Sequence, residues 1–449
     1  MIPSGDLLPR VGAHVAAVAW ERLDPRVRAR APLILLDAFG CGFVGARLAF
    51  HQSFVNDLVT AGGADEATLW ADGRKLPAAH AALANGTFAH HVEMDDGNSR
   101  ASLHGGVTVI PAALAIAELT GATGQAFLEA VVAGYDAAIA IGRVVLPGVG
   151  RHRLHPPSIC GCYGAAAAAS RLLGLDADGI ASALAISLQL APVGPFETFT
   201  KGGPVKDLYG GWPAFIGVQA AYFAEAGLHG QRNILEKPGD GIGAFLLDGA
   251  PDTSQFAPDP LELLEVQFKT YSTCRSVQPT LTALERLPGG LPAAGDVVSI
   301  HVETYPYAVG LSDDSDPATA IGARTSLPYC VASMLLDREV YPNSFLPEAL
   351  ADERRRALAA RVTTSIATDM VKPLVRGARV VAHMTDGSER RADVMATRWS
   401  GSDPASDDDL REKFRRLTGA AAPSLEAAVD VLPQAADLSA LIAALRVPA

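Results

Sequence analysis

Residues 91–106 read HVEMDDGNSRASLHGG. The stretch places His91, Glu93, Asp95, Asp96, Arg100 and His104 between two long apolar runs. Mostly apolar residues occupy positions 77–90 before it, and VTVIPAALAIAEL follows from residue 107. Both runs are apolar nearly all round, which is the mark of helices buried on every side. Gly97-Asn98 is a breaker pair, so the first helix, taken as 77–94, should end there and the next should begin near Val107. An acidic, His-bearing junction inside such surroundings sets both expectations for this chain: a helical core, and chemistry at a helix junction.

Working outward, the same apolar helical texture covers residues 1 to about 250. Segments 26–48, 125–146, 164–175, 176–190 and 210–228 each read as helices of ordinary length, joined by short Gly- and Pro-rich loops. Gly40, Gly42 and Gly45 offer close packing within 26–48. The texture changes near Pro251. Residues 296–307 are rich in β-branched side chains and alternate, 361–368 form a candidate strand, and 378–394 carry Asp386-Gly387 between two alternating runs, a hairpin signal. Residues 319–337 are helical between them. From about 405 helices return. The fold expected is mainly α with α+β: a large all-helical domain from 1–265 and 396–449, and a smaller α+β domain inserted at 266–395.

Composition narrows the function. The 449 residues carry a formal net charge of -12, with 49% hydrophobic and 19% charged residues. This length suits more than one core. The acidic balance argues against nucleic acid or an anionic membrane surface as partner. No stretch is expected to cross a bilayer and no signal peptide is read. Five scattered cysteines suit a reducing cytoplasm. Cys160 and Cys162 lack a second pair and helical spacing turns them apart, so no zinc site is expected. No dinucleotide fingerprint, P-loop or nucleophile elbow is present, so no organic cofactor is expected either.

Four segments have the residues for acid–base work on an anion. His104 precedes a helix start, where free N–H groups and the helix dipole favour a carboxylate. His155 precedes Pro156-Pro157 at a second helix start. Lys206 sits in a first helical turn opened by Pro204, where a cation opposes the dipole unless it has another task. Lys269, Cys274 and Arg275 share one segment at the domain junction, and Cys274 beside Arg275 is read as a thiol of lowered pKa. Each residue also has a bland reading, as a cap, a surface lysine or an inert buried cysteine.

The segments AHHVEMDD, LHGGVTVIPAALAIAE, HPPSICGCYGAAAAASRLLGL, KDLYGGWPAFIGVQAAYFAEAGL and FKTYSTCRSVQPTLTALERL, in this order, resemble the MmgE/PrpD family over nearly the whole chain. The resemblance implies a homodimer built on a large helical domain with an inserted α+β domain. It implies cofactor-independent chemistry on a carbon next to a carboxylate: 2-methylcitrate dehydration, cis-aconitate decarboxylation or iminodisuccinate epimerisation. His104, His155, Lys206 and Lys269 match the family's active-site positions, and Tyr307 matches a tyrosine. Glu93 stands where the lyases have aspartate, Gly97 where they have threonine, and Cys274 where the decarboxylases have histidine. These departures favour an epimerase of a small di- or tricarboxylate, with a dehydratase or decarboxylase as the alternative and a non-catalytic carboxylate binder as the third reading. Catalytic candidates are His104, His155, Lys206, Lys269 and Cys274; substrate-binding candidates are Glu93, Asp96, Arg275 and Tyr307.

Overall fold

The structure is a computed structural model that describes residues 6–237, 245–246, 253, 257–371, 375–401 and 403–446. The change of texture near Pro251 lies outside these residues. The fold is mainly helical with an α+β part. Its first part runs through α1 (Leu7–Ala17), α2 (Pro25–Ala46), α3 (Ala49–Ala61), α4 (Ala78–His91), α5 (Val109–Thr120), α6 (Gly124–Arg151), α7 (Pro156–Leu172), α8 (Ala177–Leu190), the short α9 (Phe196–Thr200) and α10 (Leu208–Glu225). The sequence segments read as helices do not include α1 or α3, and local chemistry starts several of the others. Thr123 and Asp176 accept from backbone N–H groups of α6 and α8, and Pro156-Pro157 open α7 with His155 at the N-cap.

Small residues set how closely the helices approach. A Cβ on Gly45 would stand 2.0 Å from the Phe88 carbonyl oxygen of α4, and one on Gly42 2.5 Å from the Trp70 ring. On Gly40 it would meet Leu417 at 3.1 Å. Leu417 belongs to the C-terminal helix Asp407–Thr418, which with Ala422–Val431 and Ser439–Leu445 adds Phe414, Leu425 and Leu445 to the same apolar core as α1, α2 and α6. The chain thus returns to its first core.

The intervening segment buries its own cluster, including Val277, Leu281, Ile300, Val302, Val331, Val380 and Ala382. Two short strands, β1 (Ala67–Thr68) and β2 (Lys75–Leu76), pair within the helical part. The main sheet is four-stranded, with β3 (Val297–Thr304), β4 (Val362–Ile366), β5 (Ala378–Met384) and β6 (Glu389–Val394) in the order β4-β3-β5-β6. β4 runs parallel to β3; β5 and β6 are the expected hairpin, turning at Gly387 with φ +83°. The helix expected over 319–337 is divided into Ala320–Thr325 and Leu327–Asp337. Ser326 caps the second by accepting from Tyr329 N–H, and Pro328 lacks the N–H that would continue the first.

One correction concerns surfaces. By length and apolar composition α2 and α6 would each suffice to cross a membrane, contrary to expectation, but 78% and 83% of their apolar windows are buried inside the protein. For the same reason the all-round apolar helices do not themselves call for a partner subunit.

Candidate active site

A cavity of about 490 Å³ opens between the helical part and the inserted part. One wall is the loop after α4, with Glu93, Gly97, Asn98, Ser99 and His104. His155 at the start of α7 lines it too, with Phe196 and Phe199. Facing segments add Lys269, Cys274, Arg275 and Ser276 before the helix Gln278–Glu285, Tyr305 and Tyr307 after β3, and Arg376 before β5. Helix α4 ends at His91, so Glu93 follows the helix rather than closing it. It adopts φ +52°, and Ser102 and Arg153 of the same cavity have φ +50° and +53°. Such left-handed backbone in non-glycine residues is sparsely populated and gathers at functional sites.

Behind the loop lies a buried charge network. The Glu93 carboxylate takes the Lys206 ammonium on Oε1 and the Lys269 ammonium on Oε2, the latter at 3.0 Å. Lys269 also reaches Asp95 Oδ1 at 3.6 Å. Asp95 Oδ2 accepts from His90 Nδ1 at 3.1 Å and stands 2.8 Å from His104 Nδ1, an ion-pair approach rather than an aligned hydrogen bond. Burial works against ionising Glu93, but Lys206 and Lys269 outweigh it and hold the carboxyl well below its usual range. Asp95 is likewise held low against its burial by Lys269, His104 and His90. Burial lowers the Lys269 pKa, yet Asp95 and Glu93 overcome it and leave it raised, so this amine stays an ammonium.

The other groups are placed as follows. His155 is driven to its neutral form by burial and by the nearby His90, Lys206 and His104, and among the described residues its Nδ1 has no hydrogen-bond partner. Cys274 was expected to have a lowered pKa. Burial and then Glu93 raise it instead, so it is a thiol; Ser276 Oγ donates to its sulfur at 3.2 Å. Lys206 lies one layer behind the cavity wall, between Glu93 and the His90 carbonyl, so its ammonium positions Glu93 rather than facing the space. Asp96 does not reach the cavity. Its oxygens accept from Gly106 N–H at 2.9 Å and from the Tyr135 hydroxyl at 2.6 Å, which braces the loop from beneath. Tyr307 is half-exposed at the cavity edge, 5.9 Å from the Phe196 ring. His90 and Asp95 were missed as site residues; the signal was present, since both belong to the same polar junction.

Among the described residues, two side-chain groups are close enough to hold an ion: His90, Glu93 and Asp95, and His51, His91 and Asp207. In the first, a metal would have to displace both lysines from Glu93. In the second, His91 Nδ1 already donates to Asp207 at 2.6 Å and the Arg324 guanidinium lies 3.3 Å from its other nitrogen, a poor setting for a cation. Neither donor set fits a resident metal.

The MmgE/PrpD N-terminal domain pattern matches residues 10–255 and the C-terminal domain pattern matches residues 271–436. The chain belongs to the MmgE/PrpD family. Among curated MmgE/PrpD relatives, the cis-aconitate decarboxylase-like protein oryM of Aspergillus oryzae is 26% identical, over 98% of this chain and 97% of that protein. A cis-aconitate decarboxylase of Aspergillus terreus is 24% identical over 96% and 94%. The cis-aconitate decarboxylase of Homo sapiens is 28% identical over 88% and 84%. The similarity therefore spans both parts of the MmgE/PrpD architecture. These relatives are lyases, and the lead expectation of an epimerase finds no support among them.

Proposed function

We propose that this MmgE/PrpD chain is a cytoplasmic, homodimeric, cofactor-independent lyase of the decarboxylase type, acting on a small unsaturated polycarboxylate like cis-aconitate. The observation that carries the reading is the pairing of His104 with the buried, ionised Asp95 at the edge of a cavity that also presents Lys269 and Arg275. The named activity of the full-length relatives points the same way.

Decarboxylation breaks the C–CO₂ bond. The released electron pair enters the neighbouring alkene, and the far alkene carbon takes a proton. The site must therefore hold carboxylates, tolerate developing negative charge, and supply one proton. Lys269, fixed as an ammonium, and Arg275 supply the positive field. His104 is the proton donor. The Asp95 carboxylate supplies negative charge 2.8 Å from His104 Nδ1, which leaves Nε2 to deliver the proton. Cys274 keeps its proton and lines the space as a neutral thiol.

The test is proton NMR of the purified protein with cis-aconitate and related acids in D₂O. A new vinyl signal with equimolar CO₂ supports the reading. Deuterium wash-in with no new alkene would instead make the protein an isomerase.

A further inference from the structure

Beside the charge network lies a second buried cluster that the proposed chemistry does not use. His91 is the last residue of α4, just before the loop that carries Glu93. Its Nδ1 donates to Asp207 Oδ2 at 2.6 Å, and Arg324 Nη1 donates to its Nε2 at 3.3 Å. His51 Nε2, from α3, stands 3.7 Å from the same Asp207 oxygen. Asp207 and Arg324 are both only 3% exposed. Burial and then Arg324 hold the His91 pKa down at about 4, so the ring is neutral. His51 and His91 keep the Asp207 carboxyl far below its usual range against its burial. Burial works against the Arg324 charge, and Asp207 is the first of the groups that support it. A buried acid and a buried guanidinium thus face each other across one uncharged ring. A neutral imidazole has one N–H and one bare nitrogen, so it can donate to the carboxylate and accept from the guanidinium at once.

Each end of this bridge is tied to a different wall of the cavity. Asp207 follows Lys206, whose ammonium holds Glu93 and the His90 carbonyl. Arg324 belongs to the inserted part, in the helix Ala320–Thr325, and its carbonyl accepts the Cys274 N–H at 2.9 Å. Its guanidinium also packs over the Phe345 ring at 4.9 Å. At the start of that helix Thr319 Oγ1 donates to the Gly202 carbonyl at 2.9 Å. Gly202 has φ +69°, and a Cβ there would stand 2.3 Å from Thr319 Oγ1 and 2.9 Å from Gly322 N. The turn that leads into Lys206 is therefore held against the inserted part twice, at Gly202 by direct contact and at Asp207 through His91.

We infer that His91 is a positioning residue: as an uncharged bridge between Asp207 and Arg324, it sets the Lys206–Glu93 wall of the cavity in register with the Cys274 wall. His91 does not line the cavity, so it acts through these neighbours and not on a substrate. A phenylalanine in its place would strand the Arg324 guanidinium and take from Asp207 its nearest donor. A glutamine amide offers one donor and one acceptor and should keep part of the bridge. The bridge itself does not rest on the proposed lyase reading; the turnover arm of its test does.

The experiment reads the Cys274 thiol, which lines the cavity while Cys41, Cys160, Cys162 and Cys330 are fully buried. Alkylation by iodoacetamide, followed peptide by peptide with mass spectrometry, then reports the cavity wall at Cys274 and unfolding at the other four. His91→Phe should speed Cys274 labelling by roughly ten-fold or more, the worth of one hydrogen bond to a charged group, and leave the other four slow. His91→Gln should fall between that variant and wild type, and it carries the same comparison if His91→Phe does not fold. Arg324→Met should match His91→Phe, and the double variant should exceed the larger single effect by no more than about two-fold, because both changes remove one bridge. With cis-aconitate as substrate, kcat should fall by a similar factor and KM change less. Unchanged Cys274 labelling in the folded His91 variants, equal acceleration at all five cysteines, or effects that multiply in the double variant overturn the bridge. Faster Cys274 labelling in a protein that makes no vinyl product leaves the bridge standing and removes only the lyase reading.

Discussion

Asp95 Oδ2 lies 2.8 Å from His104 Nδ1, and Asp95 is fully buried while His104 faces the cavity. Neutralising the acid should therefore disarm the histidine without emptying the site. His104→Ala is expected to lower kcat by roughly 10² to 10⁴, the usual range for a positioned proton donor. Asp95→Asn should lower kcat in the same direction with a smaller change in KM. Near-normal turnover by His104→Ala would reduce the loop to a structural junction. Circular dichroism and melting curves separate this from misfolding.

Glu93 holds two buried ammonium groups at once. Glu93→Gln leaves Lys206 and Lys269 facing each other without their shared acid. The expected cost is about 3–5 kcal/mol of stability, the range for breaking a buried pair from one side. Urea unfolding at neutral pH measures it, and a loss below about 1 kcal/mol would mean that other groups compensate the lysines.

Lys413, from the C-terminal helix, reaches Asp37 Oδ1 and the Met94 carbonyl, both at 2.5 Å. It is the tie between the last part of the chain and the active-site loop. Lys413→Met should cost about 3–5 kcal/mol by stranding Asp37. It should also lower kcat, and Asp37→Asn in the same protein should restore part of the stability. If kcat stays normal while stability falls, the tie supports the core and not the loop.

Burial, and then the neighbouring Asp37, raise the Asp96 pKa to about 6. Its unfolded value is near 4. Between these two values the folded protein holds the proton and the unfolded chain does not. This group's contribution is therefore full below about pH 4 and is lost as pH rises towards 6. Glu93 and Asp95, held low, act in the opposite direction. Asp96→Asn can still accept from Gly106 N–H and can donate to the Tyr135 oxygen. Its stability relative to wild type should therefore increase between about pH 4 and 6 by an amount of order 1–3 kcal/mol. A constant difference across that range would contradict the assignment.

A homodimer should be seen by light scattering at micromolar concentration. The buried helices give no argument for it, but Phe50 of α3 and Trp212 and Phe223 of α10 are large apolar side chains left exposed. A mass of one chain would contradict this.

The helices, the β5–β6 hairpin and the two Pro-opened helix starts were legible in the sequence because each depends on residues close together along the chain. Apolar periodicity, Thr123, Asp176, Pro156 and Asp386-Gly387 act within one turn of structure. His104, His155, Lys269 and Arg275 were legible as polar residues at helix starts or at the junction of the two parts, and all four meet in the cavity. What the tertiary structure alone decided is the charge state and direction of each group. Cys274 was read as activated because Arg275 is its neighbour in sequence, but burial and the distant Glu93 set its thiol. Asp96 was read as a substrate contact, but Tyr135 from α6 turns it into a brace. Asp95 and His90 gained their roles, and Lys206 was withdrawn behind Glu93, through contacts made across long sequence separations. Arg324 met His91 across 233 positions of sequence. Local pattern encodes backbone form; electrostatics depends on which charges and how much water surround a group, and both are set only when distant segments pack.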